Sequence, residues 1–417
     1  MRLFFLLAIV SCTGRPPRES LVLRIAMWGP LGELSPGPDS GLASIAKPWV
    51  FEKLVTLDAA GELSPLLADR IERVSGDLIR VHLRLDATFS DGTPVTADDV
   101  VRSLQPTGLR VTPSDGGLLI ESRERGLPAD ALLLQTHVFR ESGGRFMGSG
   151  PFAVAAKTGT ELHLVRRHAE AGRINDVYVA AYATPRDAFV HTLKGDANAI
   201  VDLESRWLEF FRGVPSLQIV RAAGHNADAI MLNSKLARTD RVLLAQLLAS
   251  PQVRDRAYAD AECMEKGGTN QAPVPPGAPL RILSWGPFER LALAARRALG
   301  ERGGDVAQLA PEEVLARLRA GDFEMVTARP LRWPLTLMAL VWRSDSPENL
   351  TGYSNPEMDR AIDARDWVAA NAVLRDDPPV AFICTRDQLA VIDARIKNPR
   401  LGPFELLETL PEWETEQ

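Results

Sequence analysis

The chain has 417 residues, with 48 Lys plus Arg, 54 Asp plus Glu, a formal net charge of −6 and 45% hydrophobic residues. This ordinary globular composition, with enough length for two or three domains, excludes disordered, collagen-like and disulfide-scaffold proteins. The weak negative charge and the lack of a basic stripe also exclude a nucleic-acid binder.

The N-terminus resembles an export signal. Met1-Arg2 precedes an apolar run over 3–10 that is far shorter than the roughly 20 residues of a membrane-spanning helix. A charged start, a short apolar stretch and a small residue are typical of a secretory signal. The ending before Cys12 is similar to a bacterial lipoprotein box, so we predict a signal at 1–12 with Cys12 lipidated. The alternative is a native buried strand, but the prolines and arginines of 15–18 favour a tether over 13–20.

Two further cysteines lie far apart in the chain. Outside the cytoplasm, Cys263 and Cys384 are compatible with one disulfide or with two separate buried thiols. Neither spacing nor number allows a metal site to be built from them, and we expect no metal.

The first half of the chain predicts strands followed by helices. A strand is expected at 21–28, and apolar residues alternate with polar ones over 79–85, which indicates a strand with one buried face. A tight turn at 89–94 leads to a helix with Thr96 as N-cap and two aspartates in its first turn. Further along, the pattern predicts the following elements: a hairpin at 152–166, a helix at 185–193, a strand at 199–201 and a turn into a helix over 202–211.

The second half restarts the pattern after a proline-rich loop. We expect strands at 280–285 and 323–326, with helices at 289–302 and 312–320 between them. Alternating strands and helices imply a second α/β unit with a largely parallel sheet. The acidic tail from 405 is predicted to be frayed.

Three short motifs suggest enzymes but lack the required context. Ser44 and Lys47 fit S-x-x-K, and Lys157 opens K-T-G, as in serine penicillin-recognising enzymes. Pro48 disfavours helical geometry at Lys47, and K-T-G falls at a hairpin tip. The G-x-G-x-x-A pattern over 148–153 fits a dinucleotide fingerprint, yet strand-like alternation follows it where a helix is needed. We therefore expect no enzyme activity and no cofactor.

An ordered series of segments resembles one protein family. It includes Trp49 to Asp58, Gly61 to Ala68, Val81 to Arg84 and, most specifically, Phe89 to Val100, and it continues at 148–152, 231–233, 321–325 and 352–359. This series is similar to the bacterial extracellular solute-binding proteins of family 5, which serve peptide and nickel ABC importers.

The resemblance implies a fold and a domain plan. The expected fold is α/β, a bilobed periplasmic-binding-protein type II fold with an extra small domain. Lobe I would combine 21–46, 149–227 and 396–417, the small domain would span 47–148, and lobe II would span 228–395.

The resemblance also implies which segments face a ligand. Candidate ligand-binding residues are Trp28, Asp202, Leu203, Trp285, Arg329, Arg332 and Trp333. Peptide binders commonly carry an aspartate in the third segment, where this chain has Arg329 and Arg332. If these arginines face the cleft, a carboxylate or phosphate would fit there better than an α-ammonium group. The alternative is a solvated pair of arginines, and each tryptophan has the alternative of core packing.

These features lead to one leading hypothesis. The chain is expected to be a monomeric, lipid-anchored solute-binding protein in the periplasm or at the cell surface, which delivers a peptide or anionic small solute to an ABC permease. The alternatives are a degenerate relative acting as a sensor or interaction scaffold and, more remotely, the penicillin-recognising enzyme.

Overall fold

The computed structural model describes residues 21–37, 41–58, 61–75, 78–114, 117–123, 127–258, 263–264, 272–330, 335–402 and 405–416. The predicted signal, Cys12 and the tether lie outside these ranges. No helix within them is long and apolar enough to cross a membrane. Within these ranges the architecture is mixed α/β, with sheets of seven, five and four strands and three two-stranded pairs. One of these pairs joins Ile396–Lys397 to Glu414–Thr415.

Lobe I is built on the larger sheet. In spatial order its strands are Phe152–Lys157, Glu161–Arg166, Asp176–Tyr182, Val22–Trp28, Ala199–Val201, Gln388–Asp393 and Leu217–Ala222. The central strand Val22–Trp28 pairs in parallel with both neighbours, so their carboxyl ends meet at one edge of the sheet. The helical elements of this lobe are Leu42–Ala46, Lys47–Val50, Pro185–Lys194, Ser205–Phe210 and Leu410–Glu412.

The C-terminal tail completes lobe I, so the prediction of a frayed tail is wrong. Leu407, Leu410 and Trp413 are at most 2% exposed and pack into the core beneath the sheet. The Trp49 indole Nε1 donates to the Leu407 carbonyl at 2.7 Å. The three apolar side chains recur every third residue, and their burial outweighs the acidic composition around them.

The small domain is an antiparallel sheet with two short hairpins. Its strands run in the order Ala68–Ser75, Leu78–Leu83, Gly117–Ser122 and Leu109–Ser114. The hairpins pair Val55–Leu57 with Leu63–Pro65, and Arg140–Ser142 with Arg145–Met147. The helical elements are Ala97–Leu104, Gln105–Thr107 and Ala129–Leu133.

Lobe II is built on the second large sheet. Its strands run in the order Gly303–Gln308, Leu280–Ser284, Met325–Ala328, Ala227–Leu232 and Val380–Thr385. The helical elements are Arg238–Leu248, Pro251–Ala257, Gly286–Phe288, Glu289–Leu299, Gly300–Arg302, Pro311–Ala320, Leu335–Leu337, Met338–Trp342, Pro356–Asp363 and Trp367–Asp376. The sheet is mixed and not largely parallel, because Ala227–Leu232 pairs antiparallel with both neighbours.

Two details of the lobe boundaries differ from the expected ones. The strand Gln388–Asp393, expected in lobe II, pairs with strands of lobe I. Trp49 and Phe51, expected in the small domain, are buried in the lobe I core. In both cases the chain passes between units a few residues away from the expected position, because sheet pairing and core packing decide the boundary.

Two chain segments cross between the lobes. One follows the lobe I strand Leu217–Ala222 and enters Ala227–Leu232; the other leaves Val380–Thr385 and enters Gln388–Asp393. The crossings are in backbone contact, since a Cβ at Gly224 would overlap the carbonyl oxygen of Arg386. Glycine is therefore required where the two crossings meet.

Candidate functional site

A cavity of about 700 Å³ lies beside the two crossings. Its wall is drawn from segments 41–48, 134–137, 201–203, 224–226, 386–388 and 405–407, together with Met27, Lys53 and Arg329. Lobe I, the small domain, the crossings and lobe II thus all contribute. This volume is within the range of small-molecule sites, and such sites form preferentially between domains.

Asp228 organises the charged part of this site. The carboxylate is only 3% exposed and lies at the start of the buried strand Ala227–Leu232. Arg329 Nε donates to its Oδ1 at 2.7 Å, and Arg386 Nε lies 3.3 Å from its Oδ2. The Tyr258 hydroxyl donates to Oδ2 at 3.0 Å. One buried carboxylate therefore holds two arginines and a tyrosine.

The protonation states of this cluster follow from its contacts. Burial and the neighbouring Asp228 raise the pKa of Tyr258 well above its usual range, so the hydroxyl remains a donor. Burial by itself would lower the pKa of Arg329, but its charge attraction and hydrogen bond to Asp228 raise that pKa on balance. Arginine side chains stay charged in proteins, so the cluster holds two guanidinium cations.

Asp202 presents a second carboxylate to the cavity. It is exposed and has a positive φ of 55°, a backbone conformation that aspartate tolerates better than most residues. Its negative charge also contributes to the raised pKa of Arg329. Asp202 comes from lobe I and Arg329 from lobe II, so opposite charges act on each other across the cavity.

His137 forms a neutral part of the wall. Its side chain is buried at 5% exposure, and neither ring nitrogen has a hydrogen-bond partner among the described residues. Burial first, and then the charges of Lys53 and Lys47, lower the pKa of His137 to about 3. The imidazole is therefore uncharged at neutral pH, and it packs edge-on against Phe51.

The sequence-predicted ligand residues divide into three groups. Asp202, Leu203 and Arg329 line the cavity. Trp28 and Trp285 are not in its wall: Trp28 packs on Phe189 with ring centroids 6.0 Å apart, and Trp285 donates to the Thr327 carbonyl at 3.2 Å. Arg332 and Trp333 lie outside the described residues. Neighbouring Met27 lines the cavity, as expected for a strand whose side chains alternate between faces.

Sequence reasoning missed Asp228, Arg386, Tyr258 and His137. One of them carries a readable signal, because Asp228 is a single carboxylate within the otherwise apolar strand Ala227–Leu232. A buried carboxylate requires charged or hydrogen-bonding partners, so such a position suggests an organised polar cluster. Its partners come from 30 to 158 residues further along the chain, and no local pattern connects them.

The residues of the penicillin-enzyme hypothesis are engaged elsewhere. Ser44 Oγ donates to the Gly41 carbonyl at 2.7 Å, and Lys47 Nζ donates to the Gly37 carbonyl at 2.5 Å. Lys157 pairs with Glu33 at 2.6 Å and lies outside the cavity wall. The expectation that Pro48 keeps Lys47 out of helical geometry is wrong, since Lys47 has helical backbone angles and begins the short helix Lys47–Val50.

The structure places Cys263 and Cys384 in a disulfide. Cys384 is fully buried at the end of strand Val380–Thr385. The Met264 amide donates to the Thr385 carbonyl at 2.8 Å, and Cys263 makes a β-bridge to Arg386. The disulfide thus fastens a short segment to the second crossing. Within the described ranges, no group of three or more His, Cys, Asp or Glu residues could hold a metal ion.

Comparisons with known proteins identify the fold. Residues 62–123 match the family described as bacterial extracellular solute-binding proteins, family 5 Middle. No protein of curated function matches the sequence. The match confirms the family resemblance over the small domain, where Phe89 to Val100 carries its most specific segment.

Solved structures extend the likeness to nearly the whole chain. One is NikA from Staphylococcus aureus in complex with Ni(L-His)2, with 13% identity, coverage of 94% of this chain and 99% of that chain, and a TM-score of 0.70. Another is the Escherichia coli murein tripeptide binding protein MppA, with 18% identity, coverage of 96% of this chain and 99% of that chain, and a TM-score of 0.70. A third is a putative peptide binding protein AppA from Clostridium difficile, with 15% identity, coverage of 95% of this chain and 100% of that chain, and a TM-score of 0.72. The fold is therefore the bilobed type II fold of family 5 solute-binding proteins, as expected.

Proposed function

We propose, from the premise that this chain has the family 5 signature and the bilobed type II fold, that it is an extracytoplasmic solute-binding protein. It captures a peptide or other small solute in the cavity and delivers it to an ABC importer without catalysis. The main supporting observation is the cavity of about 700 Å³ whose wall includes both crossings and residues of both lobes.

The position of the cavity supports capture by lobe closure. A solute that contacts lobe I, the crossings and Arg329 of lobe II makes all these contacts only when the lobes are together. Its binding free energy would then favour the closed arrangement over the open one. Relatives with this fold include proteins described as binding a murein tripeptide and a nickel–histidine complex.

Binding and closure are tested together on the purified full chain in mild detergent. Intrinsic fluorescence and calorimetry against a library of short peptides and small anions should identify a solute, and X-ray scattering should show a smaller radius of gyration with it. Binding without compaction would contradict delivery by closure. Failure of every solute to bind would contradict the whole proposal.

We also propose that Cys12 carries the lipid anchor and that the mature protein lies outside the cytoplasm as a monomer. A Cys12→Ser variant should then move from the membrane fraction to the soluble fraction when both are probed by immunoblotting. A Cys263→Ser variant is the matched control for loss of a cysteine and should keep the membrane association. Equal membrane association of Cys12→Ser and the unmodified chain would contradict the anchor.

A second candidate is a sensor or interaction scaffold that has kept the fold without transport. It is favoured by the contact between the small domain and lobe II, where Leu337 and Leu340 are buried in the small-domain core. A contact of this kind opposes lobe opening. Scattering distinguishes the candidates, because a scaffold would keep one radius of gyration with and without solute.

A further inference from the structure

We infer that Arg329 and Arg386 together form an anion-binding site in the cavity, which takes an acidic group of the solute, either a carboxylate or a phosphate. This inference deepens the proposed function and rests on it. The acidic group would lie between two guanidinium groups that are held from behind by Asp228.

The charges of the cluster leave room for one more anion. Arg329 and Arg386 contact opposite oxygens of the same carboxylate, at 2.7 Å and 3.3 Å. Two positive charges therefore meet one negative charge. Tyr258 also uses that carboxylate as acceptor, and because its hydroxyl stays protonated it adds no negative charge. The cluster keeps one positive charge, which an acidic group of the solute would neutralise.

The other carboxylates of the cavity do not supply that neutralisation in full. Glu405 accepts an ion pair from Lys53 at 2.6 Å, and Asp387 pairs with Arg221 at 2.5 Å. Asp202 acts on Arg329, but it is an exposed side chain, and water and salt screen such interactions. A solute anion that displaces water from the cavity would interact with the arginines more strongly than Asp202 does.

The geometry directs the two guanidinium groups toward the solute. Both arginines line the cavity, whereas Asp228, among the described residues, does not. Each arginine uses its Nε to contact Asp228, and the side chains remain 36% and 24% exposed. The planar guanidinium group has further N–H donors beyond Nε, and these suit the two oxygens of a carboxylate or phosphate.

The site also lies beside the two crossings between the lobes. Arg386 belongs to one crossing, and Asp228 is the second residue of the strand that the other crossing enters. Arg329 directly follows the lobe II strand Met325–Ala328. An anion bound to both arginines would therefore bridge lobe II and a crossing, which ties recognition of the acidic group to the relative position of the lobes.

The experiment compares acidic with neutral probes by calorimetry on the full chain. The probes are inorganic phosphate, trialanine with a free carboxylate, and trialanine amide. We expect at least one acidic probe to bind, with an affinity about tenfold or more above that of the amide, as a charge-assisted contact implies. Phosphate and trialanine together distinguish the two sources of the acidic group.

Variants locate the site. Arg329→Gln and Arg386→Gln should each lower the affinity for the acidic probe by about tenfold or more. Arg24→Gln is the matched control, because neither Arg24 nor its ion-pair partner Glu161 is part of the cavity wall, and it should change the affinity less than about twofold. The comparison of acid with amide on the unmodified chain tests the inference even if a variant does not fold.

The outcomes separate this inference from the proposed function. Equal binding of acid and amide, unchanged affinity in both cavity variants, or binding of neutral solutes alone would overturn the anion site while leaving solute capture in place. Acidic probes that bind without compaction in scattering would support the site and contradict delivery by closure. Failure of every solute to bind would overturn both.

Discussion

At the residue scale, Asp228 is the shared partner of the charged cluster in the candidate site. Its burial is tolerable only because three donors surround it, two of them charged. Two of those donors are also the arginines that face the cavity. A single carboxylate thus serves both the stability of lobe II and the arrangement of the candidate site.

We predict that Asp228→Asn lowers the free energy of unfolding by about 3 kcal/mol, because it leaves two arginines near each other without their shared counter-ion. Urea denaturation measures this loss. Asp387→Asn is the control, since Asp387 pairs with the half-exposed Arg221 and its loss should cost about 1 kcal/mol or less. Equal losses in the two variants would contradict the structural role of Asp228.

His137 predicts a dependence of stability on pH. Its pKa is about 3 in the folded protein because of burial and two lysines, whereas an unfolded histidine titrates near pH 6.5. The unfolded chain therefore binds more protons between these values, and stability falls as the pH is lowered from about 6.5 toward 3. At pH 5 the loss from this residue is on the order of 2 kcal/mol.

The check is to measure urea denaturation at several values of pH between 5 and 7. His137→Phe should flatten the dependence, because phenylalanine has no proton to gain and can keep the ring contact with Phe51. His82→Gln, which removes a partly exposed histidine outside the cavity wall, is the control for the loss of an imidazole. Parallel profiles for His137→Phe and the unmodified chain would contradict the assignment.

At the element scale, the strength of local patterns explains which elements the sequence predicts. The strand Leu78–Leu83 and the helix Ala97–Leu104 follow from a period of two and from an N-cap, respectively. Leu85 shows the limit of this reasoning: alternation predicts it to be buried, yet the strand ends at Leu83 and Leu85 is fully exposed. Sheet pairing ends the strand, and no local pattern contains that information.

The start of the helix Ala97–Leu104 provides a prediction at this scale. Thr96 and Asp99 form a capping box, and the fully buried Asp99 also accepts hydrogen bonds from Arg140 and Arg102. Burial would raise the pKa of Asp99, but these contacts, with Arg140 the largest, lower it well below its usual range. Its stabilising effect is therefore present above about pH 4 and is lost as the pH falls.

We expect Asp99→Asn to lower the free energy of unfolding at pH 7 by about 3 kcal/mol. Asp98→Asn changes the exposed neighbour in the same helical turn and should cost a few tenths of a kcal/mol, about what a charge near the helix N-terminus contributes. Thermal denaturation measured by circular dichroism compares the two. A larger loss from Asp98→Asn would show that the dipole, and not the buried contacts, dominates here.

At the scale of the whole molecule, the small domain and lobe II share a core. Leu337 and Leu340 belong to lobe II in sequence, yet they are 0% and 3% exposed within the small-domain cluster. Asp130 of the small domain is fully buried and pairs with Arg73 and with Arg365 of lobe II. The family signature predicts both units, but the contact joins Asp130 to Arg365, 235 positions apart, and has no local sign in the sequence.

This shared core predicts that a change in lobe II weakens the small domain. Leu340→Ala should lower the stability of the small-domain strands by about 3 kcal/mol, as for a buried leucine that leaves a cavity. Hydrogen exchange at the strand Gly117–Ser122 measures the effect. Leu315→Ala, at a 36% exposed position of lobe II, is the control and should leave exchange at that strand unchanged.

The buried tail links the stability of lobe I to the candidate site. Leu407, Leu410 and Trp413 complete the core of lobe I, and the neighbouring Glu405 lies in the cavity wall. One short segment is therefore both a core element and part of the cavity wall. Proteolytic removal of residues 405–416 would expose apolar core surface and open that wall at the same time.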